Sequence, residues 1–434
     1  MKNLYKDKIR IPENSFLLFL PFLIFYLLFA LVFRNRTIVG DEIRYYWYAS
    51  NLIHGFYSPP SPHILLWNGP GYPIAIIPFV ILKLPLVVFL MFNAFLYYLS
   101  IVWIYKILLK FISYRKAFIF SIFLAINLNA IIMTVLVMAE PLSVFLVTGL
   151  IYLIVKTFEN PQKKYLVLSG FVLGYIALTK FIFAYVLLIM LIAFFLFWLF
   201  NRRNTYYQKS LKILLISFVT ILPYLAYTYS LTGKLFYIGN SGGQQLYWMS
   251  TPYADEYGDW RYPYLNSKEP LIKRAHSFDA IFKNRHINDI KIALNNPKHS
   301  LLFGTEQDSV FKSLAINNIT SHPIKYLINC MSNTGRLFFN FPYSYALQSP
   351  VELILMPFNM ILAVLVLLCL IPTLINWKKI SFALRFLILF AWLYLFASTL
   401  VSAYPRMLVV ITPILIFWIV LTLKKMLKIK WKFD

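Results

Sequence analysis

The feature that most constrains this chain is a recurring apolar run, in most cases about 18 residues or longer, enough to cross roughly 30 Å of hydrocarbon as a helix. Such runs fall near 15–33, 87–105, 117–137, 141–155, 165–179, 182–200, 211–230, 351–376, 382–401 and 407–423. Inside a bilayer every backbone N–H and C=O must find a partner within the protein, and a helix supplies those partners locally. The expected fold is therefore an all-α polytopic membrane protein with about ten transmembrane helices. Composition agrees: 60% of the 434 residues are hydrophobic and only 13% are charged, against about 25% charged in soluble domains. The first run follows Lys2, Lys6, Lys8 and Arg10. It is too long for a signal-peptide core and has no small-residue cleavage site, so it reads as an uncleaved span.

A net charge of +25 would suggest a nucleic-acid partner in a soluble protein. Here the positive-inside rule accounts for it, and no nucleic acid is expected. With the N-terminus in the cytoplasm, the inner segments 1–10, 106–116, 156–164, 201–212, 377–385 and 424–432 hold more than half of the 41 lysines and arginines. The short outer connections hold few: Arg34, Arg36, Arg44 and Lys83 in the first, then Lys180 and Arg406. An even number of spans also returns Lys424, Lys425, Lys428, Lys430 and Lys432 to the cytoplasm. The expectation is a multi-pass protein of the cytoplasmic (plasma) membrane with both termini inside.

Three parts follow from this layout: 1–230, an N-terminal transmembrane module with an outer first loop at 34–86; 231–350, an outer loop domain of mixed structure; and 351–434, the last spans. In the first loop Asp41 can cap a short helix through Tyr45, Tyr46, Trp47, Tyr48 and Ala49. Its aromatics suit a helix lying at the membrane interface. Ile74–Leu84 is apolar, too short to span and interrupted by Pro78, so it reads as half-inserted. In the outer loop, 309–320 and a segment starting at Pro323 read as helices.

Charged residues at a membrane boundary are the informative positions. Asp41 and Glu42 follow the first span, Glu140 sits in the turn Met138-Ala139-Glu140-Pro141, Lys180 ends one span and Arg406 begins another. Four outer connections thus bring both signs of charge to one depth. Each residue also has a plainer reading. Asp41 serves equally well as a helix cap, Glu42 as its solvated neighbour and Glu140 as a first-turn charge favoured by the helix dipole. Lys180 and Arg406 suit snorkelling cations. Tyr and Trp near Asp41 suit an interfacial belt, and Gly242-Gly243 suits a turn. The six histidines show no metal-ligand spacing. Cys330 and Cys369 form no metal set, and with Cys369 in an apolar run no disulfide is expected.

Taken in order, these motifs resemble the GT-C superfamily of glycosyltransferases. They most resemble the branch of dolichyl-phosphate-mannose protein mannosyltransferases, aminoarabinose transferases and lipid A core galacturonosyltransferases. Gly40-Asp41-Glu42 with Tyr45, Tyr48 and Ala49 is similar to that family's acidic pair. Asn68-Gly69-Pro70-Gly71-Tyr72-Pro73 looks like the stretch before its half-buried helix, and Glu140-Pro141-Leu142 like its second acidic turn. Gly174 to Lys180 resembles its glycine-to-basic helix end, and His322-Pro323 with Tyr326 and Arg336 the close of its large loop. The stretch Ala403-Tyr404-Pro405-Arg406 departs from the paired basic and aromatic residues often found there.

The resemblance implies transfer of a single sugar from a polyprenyl-phosphate donor to a lipid, glycan or protein acceptor outside the membrane, with inversion. Asp41 would be the base, with Glu42 and Glu140 orienting hydroxyls. Lys180, Arg406 and Arg336 would meet the donor phosphate. No cofactor is expected, and Mg²⁺ or Mn²⁺ at the three acids is the less favoured alternative. A polysaccharide polymerase or ligase using lipid-linked glycans is the chemically close rival. A secondary transporter would place its charges near the midplane in repeated halves, which this sequence does not do.

Overall fold

The computed structural model describes residues 14–34, 37–160, 162–259, 285–286, 288–289, 291–293, 304–344, 350–401 and 403–425. The expectations for the basic N-terminus, for Arg36 and for Lys428, Lys430 and Lys432 lie outside these residues. No strand occurs among the described residues. The described residues of 231–350 are helices joined by irregular chain. Among the described residues, eight helices are long and apolar enough to cross a membrane. The chain is an integral membrane protein.

The spans are α1 (Ser15–Phe33), α4 (Leu86–Leu108), α7 (Glu140–Glu159), α9 (Ile182–Phe200), α10 (Thr205–Thr232), α14 (Pro350–Ile375), α15 (Phe382–Val401) and α16 (Pro405–Lys425). Between and beside them lie α2 (Asp41–Ile53), α3 (Gly71–Ile81), α5 (Tyr114–Ala125), α6 (Leu128–Thr134), α8 (Lys163–Thr179), α11 (Gly242–Met249), α12 (Gly304–Ser321) and α13 (Pro323–Phe339). Two of the ten expected spans differ in form. The 165–179 run is α8, whose 17 residues reach only about 25 Å. The 117–137 run is two helices, α5 and α6, bent by 57°.

The bend has a local cause. Asn127 stops α5 and caps α6, its side-chain oxygen accepting from the Ala130 N–H at 3.4 Å. The break frees carbonyls inside apolar surroundings, and tyrosine hydroxyls meet them. Tyr97 donates to the Leu124 carbonyl at 2.5 Å and Tyr26 to that of Ala125 at 2.6 Å. Asn93 does the same for the loop after α6, donating to the Leu136 carbonyl at 2.7 Å.

α16 is the centre of the bundle, 83% buried along its most apolar stretch, whereas α1 is 17% buried and faces outward. α16 packs on α7 and α15, and α7 packs on α4 and α8. The short apolar α3 lies against α2 and α8. A side-chain carbon on Gly69 would sit 2.0 Å from the Leu178 carbonyl oxygen, so only glycine lets the 68–71 loop close on the end of α8.

A candidate active site at clustered helix ends

Each charged residue of the site is placed by a helix terminus. Gly40, at φ +58°, turns the chain so that α2 begins at Asp41. Glu140 is the first residue of α7, with Pro141 next to it, and Lys180 is the residue that ends α8. Pro405 starts α16, which puts Arg406 in its first turn. Four separate stretches of chain therefore meet at one level.

The Asp41 carboxylate does not cap its helix. One oxygen accepts from Arg406 Nη1 at 2.7 Å, and the other pairs with Arg44 one turn along α2. Lys180 Nζ donates to Glu140 Oε1 at 2.8 Å, and Arg406 Nε lies 4.0 Å from that same oxygen. Glu140 is 1% exposed, and its Oε2 has no hydrogen-bond partner. Burial alone would raise the Asp41 carboxyl, but Arg406 and then Arg44 outweigh it and hold it well below the usual carboxylate range. Burial, reinforced by Glu140 and Asp41, pushes the Tyr45 phenol well above its ordinary value and keeps it protonated.

Two cavities flank the Asp41–Arg406 pair. One, about 210 Å³, holds Glu140, Lys180 and Tyr45 in its wall as well. The other, about 480 Å³, extends past Arg44 and Tyr404 to Asn129, Ile132 and Met133 at the broken span and to Leu355 on α14. Asp41, Arg406, Trp67, Gln245 and Met407 line both. The ion pair is thus part of a common wall.

Two expected site residues lie elsewhere. Glu42 is buried and turned from both cavities, since its oxygens accept from the Val137 N–H at 2.8 Å and the Val39 N–H at 3.2 Å. It ties α2 to the turn that carries Glu140 and is a positioning residue, not a contact. Arg336 is fully buried on α13 and lines neither cavity. Its guanidinium donates to the Pro342 and Tyr257 carbonyls at 2.8 and 3.0 Å and to Asn333 Oδ1 at 2.9 Å. Asn333 Oδ1 in turn accepts from the Ala403 N–H at 2.9 Å, so Arg336 braces the turn before Arg406.

Other residues enter that the sequence did not single out. Arg44 was legible as a cation one turn from Asp41. Its Nε also donates to Asn68 Oδ1 at 3.0 Å, and its guanidinium lies 5.3 Å from the Trp67 ring. Trp67 and Gln245 carried no sequence signal. Tyr45 and Tyr48 are 4% and 0% exposed, so they are packing residues and not an interfacial belt. The Gly243 N–H is taken by Asp308 Oδ1 at 2.7 Å. Among the described residues no three of His, Cys, Asp and Glu gather to hold a metal ion.

No family model matches this chain, and no curated protein matches it. Among solved structures, it is similar to the crystal structure of ArnT from Cupriavidus metallidurans bound to undecaprenyl phosphate. The two share 11% identity over 94% of this chain and 76% of that one, with a TM-score of 0.41. A superposition that loose transfers neither residues nor substrate.

Proposed function

We propose that the chain is a membrane glycosyltransferase that moves one sugar from a polyprenyl-phosphate donor to a hydroxyl acceptor on the extracytoplasmic side, with inversion. The observation that carries this reading is the carboxylate held by two guanidinium groups on the wall between two cavities. A two-substrate reaction needs such a place. The donor fits the smaller side, where Lys180 and Arg406 face the phosphate. The acceptor fits the larger side, where the amide of Gln245, without a hydrogen bond to any described residue, can meet sugar or acceptor hydroxyls.

Charge supports the assignment. Three cations, Arg44, Lys180 and Arg406, face two carboxylates, Asp41 and Glu140. The net single positive charge is matched by the single negative charge of a sugar–phosphate diester. In the reaction the acceptor oxygen bonds to the anomeric carbon as the carbon–phosphate oxygen bond breaks. The hydroxyl proton goes to Asp41, and the leaving phosphate takes the electron pair and the added negative charge.

Clamped by two guanidinium groups, Asp41 is a weak base. A donor phosphate that draws Arg406 to itself leaves the carboxylate with less counter-charge and makes it more basic. The base then becomes effective only with donor in place. Incubation of the purified protein with a radiolabelled polyprenyl-phosphate sugar and a cell-envelope lipid fraction tests the reading. Label in the acceptor, with one sugar added per molecule, is the expected result. Addition of a preassembled chain would establish the polymerase or ligase alternative, and no transfer from any such donor would remove the enzyme reading altogether.

A further inference from the structure

Farther along α7 and α8 from the charged cluster, beside their middle turns, lies a third cavity. It measures about 550 Å³ and opens between α4, α7 and α8. Trp103, Leu146, Gly149 and Val172 make its apolar wall, and Lys106 and Lys110 stand at its rim. A side-chain carbon on Gly149 would lie 3.2 Å from the Trp103 ring, so the glycine keeps the floor open.

Both lysines stand over aromatic rings. Lys106 Nζ lies 4.2 Å from the Phe16 ring and Lys110 Nζ 4.4 Å from the Tyr152 ring. Neither ammonium makes an ion pair or a hydrogen bond with any described residue. Burial and then the neighbouring Lys156 lower the Lys110 ammonium, and Glu159 offsets this only in part. Two unpaired cations one helical turn apart, above an apolar slot in a membrane-facing surface, form the complement of an anionic amphiphile.

We propose that this groove is a binding site for an anionic phospholipid of the leaflet opposite the Asp41 cluster. Its phosphate rests on Lys106 and Lys110, and one acyl chain lies along Trp103 and Leu146. The site differs from the catalytic one in place and in chemistry. It is coupled to it by geometry: Gly149 is about 14 Å along α7 from Glu140, and Val172 about 12 Å along α8 from Lys180. A lipid seated there braces the two helices that carry the Glu140–Lys180 pair.

Native mass spectrometry of the purified full chain, after exchange into phosphatidylcholine vesicles with or without phosphatidylglycerol, tests the site. The wild type is expected to retain phosphatidylglycerol at least tenfold over phosphatidylcholine and to melt several degrees higher with it. The double variant Lys106→Gln, Lys110→Gln is expected to lose both effects. Gly149→Leu is expected to lower retention by filling the slot, and circular dichroism confirms that it folds. Equal retention of the two lipids by the wild type, or unchanged retention by the folded lysine variant, overturns the proposal. So does equal stabilisation by inorganic phosphate, which would make the site one for an ion. None of these readouts uses sugar transfer, so the proposal stands or falls apart from the catalytic reading.

Discussion

Two clusters of buried ionisable groups stand out among the described residues, and only one of them is built around open space. Around Asp41, charges from four stretches of chain surround two cavities, and a buried oxygen of Glu140 is left without a partner. Around His286 the groups serve one another. The His286 ring lies 2.8 Å from the Tyr247 hydroxyl and 3.0 Å from Glu256, and Thr251 donates to Glu256 at 2.5 Å. Tyr247 also donates to Asp289 at 2.7 Å. None of these residues lines either cavity. Density of charge is therefore a poor mark of a site. An adjoining cavity with unused hydrogen-bonding capacity is the better one.

Substitution can break that contrast, and the largest effect is expected at Asp41. Asp41→Asn should lower sugar transfer by about 10²–10⁴-fold, the usual worth of a positioned acid or base, with an unchanged helical spectrum. Full transfer by a folded Asp41→Asn protein would remove Asp41 as the base.

Arg406→Gln is expected next, with a loss of about 10²–10³-fold from a missing partner for the leaving phosphate. It should also move the acidic limb of the pH profile. Held below its ordinary value, Asp41 stays ionised as the pH falls through about 4, and the stability its pairing contributes is lost only below that. Without Arg406 the carboxyl rises, so the limb shifts to higher pH. An unshifted limb would show that another group sets it.

Glu256→Gln probes the other cluster. It should cost about 1–3 kcal/mol of stability, typical of weakened buried hydrogen bonds to a carboxylate, and lower the melting temperature. Turnover of the folded fraction should stay the same. A fall in kcat without a fall in melting temperature would make the His286 cluster functional and erase the contrast.

The smallest effect is expected at Glu42. Glu42→Gln keeps the shape but weakens two accepted hydrogen bonds, at about 1.5–3 kcal/mol for bonds to a charged group. Transfer should fall by about tenfold or less through a displaced Glu140 turn. A loss as large as that of Asp41→Asn would return Glu42 to direct chemistry.

The fold was legible because its governing signal is local. Apolar length alone marks each span, and Pro141, Pro323 and Pro405 mark helix starts one residue at a time. The bend at Asn127 was hidden inside an apolar run, since one amide among hydrophobic residues scarcely changes its mean hydropathy. At the site the sequence carried the residues at helix ends, Asp41, Glu140, Lys180 and Arg406, because a charge beside a span is conspicuous. It misled on Glu42 and Arg336, whose partners are fixed by tertiary contact: Val137 lies 95 residues from Glu42, and Tyr257 lies 79 from Arg336. His286, without metal-ligand spacing, was passed over for the same reason. Gln245 offered nothing to notice, being one of two adjacent glutamines at the start of α11.

The broken span also bears on the order in which the protein is made. The hydroxyls and the amide that satisfy its exposed carbonyls belong to Tyr26, Asn93 and Tyr97, all of which precede Leu124 in the chain. A ribosome delivers the N-terminal part first. When the kinked segment reaches the bilayer, the groups that make a kink tolerable there have already been synthesised. With these partners on later spans, its bare carbonyls would have to wait in lipid.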